Sequence, residues 1–207
     1  MLLTGFEPFA ESPVNSSWDA VQRLAGTWSG PHELIARRLP VAFGSAGRRL
    51  MEHVALHTPD AVVAVGVAEG RRAVTPERVA INLRDARIPD NAGRRPVEVP
   101  CRVGGPDAYF STLPVSKIVA ALNEAGIPAE ASLSAGTYVC NDTFYALQHA
   151  LVGLGVASGF IHVPATPQMG LGDDVPTLTT DQIAQALGIA IDVILAGAAG
   201  RADAAAG

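Results

Sequence analysis

The feature that most constrains the fold is the apolar, largely β-branched run at positions 60–67, Asp-Ala-Val-Val-Ala-Val-Gly-Val. A strand with one solvated face alternates apolar and polar residues, whereas this run stays apolar at consecutive positions. Such a run is typical of a parallel strand that helices cover on both faces. The chain is therefore expected to build an α/β fold around a buried sheet.

Short apolar runs of this kind alternate with helical patterns along the chain, while residues 73–105 break into short extended pieces and turns. Strands are expected at 1–4, 33–39, 60–67, 129–134 and 158–163, and helices from about 15, at 46–57, 115–124 and 140–151, and from 179 to about 198. Residues 199–207 are expected to fray. The alternation predicts a single-domain α/β/α sandwich with a mostly parallel central sheet.

Length, composition and charge favour an ordered protein that does not bind nucleic acid. The chain has 207 residues, of which 48% are hydrophobic, enough for a full core. Its formal net charge of -5 disfavours sequence-independent binding to nucleic acid. The arginine pairs are scattered rather than gathered into one basic run, so most of them are expected on solvated faces.

No membrane segment or secretion signal is expected either. The most apolar run, 183–199, is interrupted by polar residues and is better explained as a buried terminal helix. The amino terminus turns polar by Glu7, before an apolar core of signal-peptide length could form. The two cysteines, Cys101 and Cys140, form neither a disulfide framework nor a zinc motif. These features predict a cytoplasmic protein in a reducing environment.

Three reactive side chains lie in contexts that suit acyl transfer. Cys140 follows a glycine turn and opens a helical pattern, where the positive end of the helix dipole favours the thiolate. His162 lies in a short apolar strand, and Glu77 is flanked by apolar residues. Cys, His and Glu are the parts of a thiol-dependent acyl-transfer site. The sequence therefore predicts a cysteine hydrolase that uses these three residues.

Each of the three also has a purely structural interpretation. A buried cysteine is most often a small hydrophobe, a histidine on an apolar strand is most often a satisfied core residue, and Glu77 alternatively pairs with an arginine on a surface turn. The position of Cys140 favours catalysis, because active sites of α/β proteins gather at the carboxyl edge of the sheet. Strand 158–163 is expected near strand 129–134, which leads to Cys140. Cys101 has no such context and is interpreted as structural.

Two further patterns are weak. His53 and His57 have the spacing of a zinc pair on a helix, but Val54 stands where a metalloprotease helix carries glutamate, and no third ligand is evident. Residues 66–71 follow a strand and contain glycines, but they lack both the dinucleotide pattern and the ending of a phosphate loop. The sequence implies no metal and no organic cofactor.

Six short motifs together resemble one known family, the pyrrolidone carboxyl peptidases, also called pyroglutamyl peptidase type I. They are spread over some four-fifths of the chain, in family order and at family-like spacing. The motifs are Leu3-Thr4-Gly5-Phe6-Glu7-Pro8-Phe9, Asn15-Ser16-Ser17-Trp18, Pro76-Glu77-Arg78-Val79-Ala80-Ile81-Asn82, Ala86-Arg87-Ile88-Pro89-Asp90-Asn91, Gly136-Thr137-Tyr138-Val139-Cys140-Asn141 and Phe160-Ile161-His162-Val163-Pro164.

The resemblance implies a fold and an activity. It implies an α/β/α sandwich over residues 1–207, with a catalytic triad of Glu77, Cys140 and His162. The activity implied is removal of an amino-terminal pyroglutamyl residue from peptides, through a thioester at Cys140. It also implies a homo-oligomer, commonly a tetramer.

The resemblance also indicates a substrate pocket. Phe6 and Phe9 are expected to form the apolar walls around the flat lactam ring. The loop that carries Arg87 is expected to help line the oxyanion hole. Many family members carry glutamine where this chain has Val67, near the pocket. Because valine cannot make that polar contact, a different affinity or a different recognition of the ring is expected, while backbone groups can still bind the lactam.

A second departure concerns Asp142, which stands where a histidine is frequent after Cys-Asn. A carboxylate near Cys140 would oppose thiolate formation if it were unpaired, so Asp142 is expected to point away along the helix. Two alternatives stay open. One is a cysteine hydrolase acting on another small cyclic or acylated amide, with Val67 shifting its preference. The other is a binding module that keeps the pocket without turnover.

Overall fold

A computed structural model of the chain describes the backbone of residues 1–205 and the side chains of residues 1–197. The strands are β1 (Leu2–Phe6), β2 (Ile35–Leu39), β3 (Ala61–Val67), β4 (Thr75–Pro76), β5 (Val79–Ile81), β6 (Ala108–Phe110) and β7 (Ala157–Val163). The helices are α1 (Ser16–Thr27), α2 (Ser45–His57), α3 (Val115–Glu124), α4 (Val139–Leu151) and α5 (Thr180–Ala205), with a 3₁₀ turn at Pro167–Met169.

The central sheet has five strands in the order β2-β1-β3-β7-β4. The first four run parallel to one another, and β4 pairs antiparallel with β7 at one edge. Strands β5 and β6 form a separate antiparallel pair. The predicted α/β/α architecture with a mostly parallel sheet is confirmed.

Helices cover the sheet on both faces, which explains the continuous apolar run of β3. Val63 and Val65 face the core shared with α1, α3 and α5. Val62 and Ala64 face the core shared with α2 and α4. Because successive side chains of a strand point to opposite faces, a strand covered on both sides needs apolar residues at every position.

Side-chain caps stabilise two of the predicted helix starts. Asn15 caps α1, where its Oδ1 accepts a hydrogen bond from Ser17 N at 3.1 Å. Thr179 and Gln182 form a capping box before α5, in which Thr179 N donates to Gln182 Oε1 and Gln182 N donates to Thr179 Oγ1. The Asn15 amide also donates to Glu7 O at 2.9 Å, which joins the loop after β1 to α1.

The predicted strand at 129–134 is wrong, since only isolated bridges form there, at Ala129 and Ser132. Residues 128–132 run parallel to residues 74–78, and the two segments form four backbone hydrogen bonds, including Ser132 N to Pro76 O. A regular ladder would also need a donor at position 76, and proline has no N–H. The missing rung leaves an interrupted pair instead of a strand.

Other differences are small. β6 was not predicted; it is three residues long and carries the exposed side chain of Phe110, so it lacks the pattern of a buried strand. α4 begins at Val139, one residue before the expected start. The backbone of α5 extends beyond its expected end, to Ala205. The side chains of residues 198–207 and the backbone of residues 206 and 207 lie outside the described part of the chain, so the expected fraying of residues 199–207 stays a prediction.

Within residues 1–205, no helix is both long and apolar enough to cross a membrane.

Gly5 allows β1 and α1 to pack in direct contact. A Cβ at this position would lie 2.6 Å from Trp18 Cα and 2.7 Å from Trp18 N, and these backbone atoms cannot retreat as a flexible side chain can. We expect Gly5→Ala to lower the free energy of unfolding by about 1–3 kcal/mol, the usual cost of overpacking, in urea denaturation. Gly26→Ala on α1 is the control, because a Cβ there meets nothing within 4 Å. An equal loss in both variants would contradict this account.

Candidate active site

The carboxyl ends of β1, β3 and β7 meet the start of α4, and Cys140 is the second residue of that helix. Its Sγ lies against Gly66 near the end of β3, where a Cβ would be only 2.8 Å from the sulfur. Gly66 is in turn the register partner of His162 on β7. Cys140 and His162 therefore lie on either side of Gly66, at the carboxyl end of the sheet.

Glu77 reaches the same place through β4. Thr75 pairs with His162 across the antiparallel ladder, and Glu77 N donates to Phe160 O at 2.9 Å. Residues two apart on paired strands share a face, so Glu77 and His162 are diagonal neighbours. Their side chains meet with Nδ1 to Oε1 at 2.7 Å, and both are almost fully buried. The ring of Phe160 packs 4.8 Å from the imidazole, centroid to centroid.

The electrostatics keep Glu77 ionised and His162 neutral. Burial alone raises the pKa of Glu77, but the hydrogen bond and charge of His162, together with Arg71, lower it overall. Burial lowers the pKa of His162 below 6.5, although its hydrogen bond to Glu77 acts in the opposite direction. With Nδ1–H donating to the carboxylate, Nε2 is left as the acceptor that can take a proton.

Cys140 is a thiol at rest rather than a thiolate. Burial is the largest influence and, together with the charge of Glu77, raises the pKa of Cys140 to about 12, while Arg71 lowers it. The positive end of α4 acts in the opposite direction and favours the thiolate, as the sequence suggested. The sulfur therefore needs a neighbouring base to take its proton.

The first turn of α4 supplies free amide donors beside the sulfur. The N-cap residue, Tyr138, makes no side-chain cap, and the first N–H groups of a helix have no partner within it. Val139 and Cys140 both line the adjoining cavity. These N–H groups can donate hydrogen bonds to a developing negative charge and stabilise it.

A cavity of about 360 Å³ opens over Cys140. All four residues that the sequence assigned to substrate binding line it: Phe6, Phe9, Val67 and Arg87. Its lining consists of Phe6, Phe9, Asn15, Val41, Val67, Glu69, Arg87, Tyr138, Val139 and Cys140. Phe6 is buried and Phe9 packs on Tyr138 with ring centroids 5.5 Å apart, so aromatic rings form part of the wall.

Five residues of this lining were not predicted as site residues: Asn15, Val41, Glu69, Tyr138 and Val139. Val41 and Glu69 each lie two residues beyond the end of a parallel strand, β2 and β3 respectively. Asn15, Tyr138 and Val139 entered the sequence analysis only as members of family motifs. Position just after a strand was the available signal, because the carboxyl ends of parallel strands surround such a cavity.

The loop that carries Arg87 is attached to the start of α4. Thr137 Oγ1 donates to Asp85 O at 2.7 Å, and Tyr138 Oη donates to Pro89 O at 2.8 Å. The buried Asn141 side chain accepts from Ile81 N and donates to Ile81 O. The loop and the amides near Cys140 therefore form one connected rim.

Asp142 points away from Cys140, as expected. Its carboxylate accepts from Arg84 Nε and from Gly44 N, each at 2.6 Å, and its side chain is 2% exposed. It lines a second cavity between α2 and α4, together with Cys101. The Asp142 charge is therefore paired and lies outside the cavity over Cys140. Cys101 is half-buried there, and burial raises the pKa of its thiol to about 12.

The histidine pair of α2 does not form a metal site. His53 and His57 stack with centroids 6.2 Å apart, and His57 Nε2 lies 3.0 Å from Arg37 Nη2. Among the residues with described side chains, no group of three or more His, Cys, Asp or Glu is placed to hold a metal ion.

The sequence and the fold both match known proteins. A profile of the family described as pyroglutamyl peptidase matches residues 1–197. A pyrrolidone-carboxylate peptidase of Pseudomonas fluorescens is 48% identical over 192 residues, which cover 92% of this chain and 90% of that protein. A pyrrolidone-carboxylate peptidase of Clavibacter michiganensis is 46% identical over 199 residues, covering 96% and 93%.

Solved structures give the same result. The crystal structure of pyroglutamyl peptidase I from Bacillus amyloliquefaciens is similar with a TM-score of 0.90 and 44% identity, covering 94% of this chain and 96% of that one. A mutant pyrrolidone carboxyl peptidase from P. furiosus is similar with a TM-score of 0.88 and 40% identity, covering 94% and 97%.

The Arg84–Asp142 pair behind the site offers a test of the packing of α4. Arg84→Met leaves a buried carboxylate without its cation, which we expect to lower the free energy of unfolding by about 2–4 kcal/mol in urea titrations. The double variant Arg84→Met/Asp142→Asn removes the unpaired charge and is expected to be more stable than Arg84→Met alone. If the second substitution lowers stability further, the pair is not what holds Asp142.

Proposed function

The chain belongs to the pyroglutamyl peptidase family, and we propose that it hydrolyses the amide bond after an amino-terminal pyroglutamyl residue of peptides, using Cys140, His162 and Glu77. It is a hydrolase of the cysteine type. The observation that carries the assignment of residues is the 2.7 Å hydrogen bond between buried Glu77 and His162, one strand away from the Cys140 sulfur.

The first half of the reaction forms a thioester. Nε2 of His162 takes the proton of the Cys140 thiol as Sγ attacks the pyroglutamyl carbonyl carbon. The carbonyl oxygen becomes an oxyanion, which the free amides at the start of α4 stabilise. The tetrahedral intermediate collapses, the C–N bond breaks, and His162 returns the proton to the leaving amine. The pyroglutamyl group is then held on sulfur.

Water completes the cycle. His162 takes a proton from water as the water oxygen attacks the thioester carbon. The C–S bond breaks when the second tetrahedral intermediate collapses. The proton returns to Sγ and free pyroglutamate leaves. Glu77 stays ionised throughout; it orients the imidazole and stabilises its charged form. No step requires a metal or an organic cofactor.

The resting charges support this order of events. A thiol that burial keeps protonated and an imidazole that burial keeps neutral form a pair in which the base is free to act. The ionised Glu77 then lowers the cost of forming imidazolium. The site therefore activates Cys140 during the attack rather than holding a stable thiolate.

The cavity suits a flat ring without charge. Phe6 and Phe9 supply apolar faces, and Val67 extends this surface where a glutamine would add a polar group. Pyroglutamate has no free amine, so its recognition depends on an apolar slot with a few lactam hydrogen bonds. We assign those bonds to backbone groups, including the loop that carries Arg87.

Three broader properties belong to the same proposal. The chain acts as one pyroglutamyl-peptidase-like unit over residues 1–207. Its two cysteines, both free thiols in the described residues, suit the reducing cytoplasm. By resemblance to the family it assembles as a homotetramer, which sedimentation velocity would measure directly.

The activity is tested with chromogenic pyroglutamyl, prolyl and glutamyl amides. We expect the wild type to cleave the pyroglutamyl amide alone, and Cys140→Ser to lose at least about a thousandfold in kcat, as nucleophile variants usually do. Cys101→Ser is the matched control and is expected to keep its activity, because Cys101 lies in the other cavity. Activity that persists in Cys140→Ser removes this residue from the mechanism. A folded, reduced wild type that cleaves no amide points to a binding role.

The pH dependence follows from His162. The base must be neutral to act, and burial lowers its pKa from the ordinary 6.5. We therefore expect the acid limb of kcat/KM to have its midpoint below pH 6.5. A pH series with the pyroglutamyl amide measures this midpoint. An acid limb well above that value would show that a different group limits the reaction.

A further inference from the structure

A third charged group takes part in the Glu77–His162 contact. Nη1 of Arg71 lies 2.7 Å from Glu77 Oε1, and 27% of the Arg71 side chain is exposed. Arg71 does not line the cavity over Cys140. We propose that Arg71 is a positioning residue, which holds the Glu77 carboxylate in place for His162 and ties the segment leading to Cys140 to the same point. The inference rests on the proposed function.

The hydrogen bonds of the carboxylate make Arg71 important for its orientation. Oε1 accepts from both Arg71 Nη1 and His162 Nδ1, each at 2.7 Å. Oε2 is buried and has no hydrogen-bond partner among the described residues. Arg71 and His162 are thus the two side-chain donors within hydrogen-bonding distance of the carboxylate, both on Oε1, and the nearby Ser132 hydroxyl also lowers the pKa of Glu77. Without Arg71, the carboxylate would keep its hydrogen bond to His162 but lose the donor that fixes its plane, so the direction of that bond would vary.

The guanidinium also joins three segments of the chain. Arg71 itself closes a turn after β3, with its N–H donating to Ala68 O at 3.2 Å. Its Nη1 donates to Thr75 Oγ1 on β4, and its Nη2 donates to Ser134 O at 3.0 Å in the segment before α4. A planar guanidinium with several donors in fixed directions can make these contacts at once, whereas the ammonium of lysine cannot.

The charge of Arg71 acts on the site as well. This charge lowers the pKa of His162 and of Cys140, while the hydrogen bond from Arg71 lowers the pKa of Glu77. Loss of this charge leaves the negative Glu77 less compensated, so the imidazolium form of His162 becomes more favourable. The pKa of His162 is therefore expected to rise when Arg71 is replaced by a neutral residue.

The neighbouring residue provides a matched control. Arg72 is exposed, whereas Arg71 is partly buried against Glu77. The two residues are consecutive arginines, so replacing either one removes one positive charge from the same turn. A difference between their variants therefore reports on the side-chain contacts of Arg71, Glu77 among them, and not on net charge.

The test compares Arg71→Met, Arg71→Lys, Arg72→Met and the wild type. We expect Arg71→Met to lower kcat by about 10–100-fold, in the range for groups that orient a reactive side chain, with KM changed less than about threefold. The acid limb of its kcat/KM profile moves to higher pH. Arg71→Lys restores the limb and part of kcat, and Arg72→Met behaves as the wild type. Wild-type kcat and pH profile in Arg71→Met would overturn the proposal.

Two further measurements separate this proposal from the alternatives. In a Glu77→Gln background, Arg71→Met is expected to lower kcat little further, because the partner of Arg71 is already changed. A loss of kcat as large as in the wild-type background would overturn the proposal.

NMR titration of ¹³C-labelled histidine follows the pKa of His162 without turnover, and a His162→Gln variant identifies the His162 signal. This pKa should rise in Arg71→Met but not in Arg72→Met, and no difference would overturn the proposal. A wild type inactive on pyroglutamyl amides would contradict only the proposed function.

Discussion

The antiparallel pairing of β4 with β7 is the constraint on which the site depends. The other four strands of the sheet are parallel, and β4 alone runs back along its edge. This reversal places Thr75 opposite His162, so that Glu77 lies diagonally across the ladder on the same face. The hydrogen bond between Glu77 and His162 thus spans 85 residues of sequence but is set by backbone pairing over only a few. Both side chains are short and buried, so little freedom remains to be lost when substrate binds.

Burial gives the site its chemical character. It raises the pKa of Cys140 and lowers that of His162, which favours the neutral form of both, and it leaves Glu77 and Arg71 as a charged pair whose carboxylate is buried. Removing one member of such a pair is costly, because the other charge stays buried and uncompensated. In the proposed mechanism the same charges are already in place when the imidazolium forms, so the protein does not need to reorganise at that moment.

Helix α4 connects this site to the rest of the molecule through three consecutive residues. Successive side chains on a helix point about 100° apart, so each reaches a different neighbour. Cys140 lies against Gly66 at the sheet edge, Asn141 binds the backbone at Ile81, and Asp142 is paired with Arg84. Asp142, which is close to Cys140 in sequence and would oppose thiolate formation if unpaired, is therefore paired on another side of the helix.

The sequence by itself determined what depends on neighbouring residues: the strand at 60–67, the cap at Asn15, and a cysteine in the first turn of a helix. These features follow from local periodicity and local hydrogen bonding, and the family motifs added the roles. Only the tertiary structure decided which distant groups meet. Pro76 interrupts the pairing of 129–134, because its missing N–H matters only once that segment lies beside it. Arg71 and the equally charged Arg72 differ because the fold turns one of them towards a buried carboxylate, and no local pattern encodes that choice.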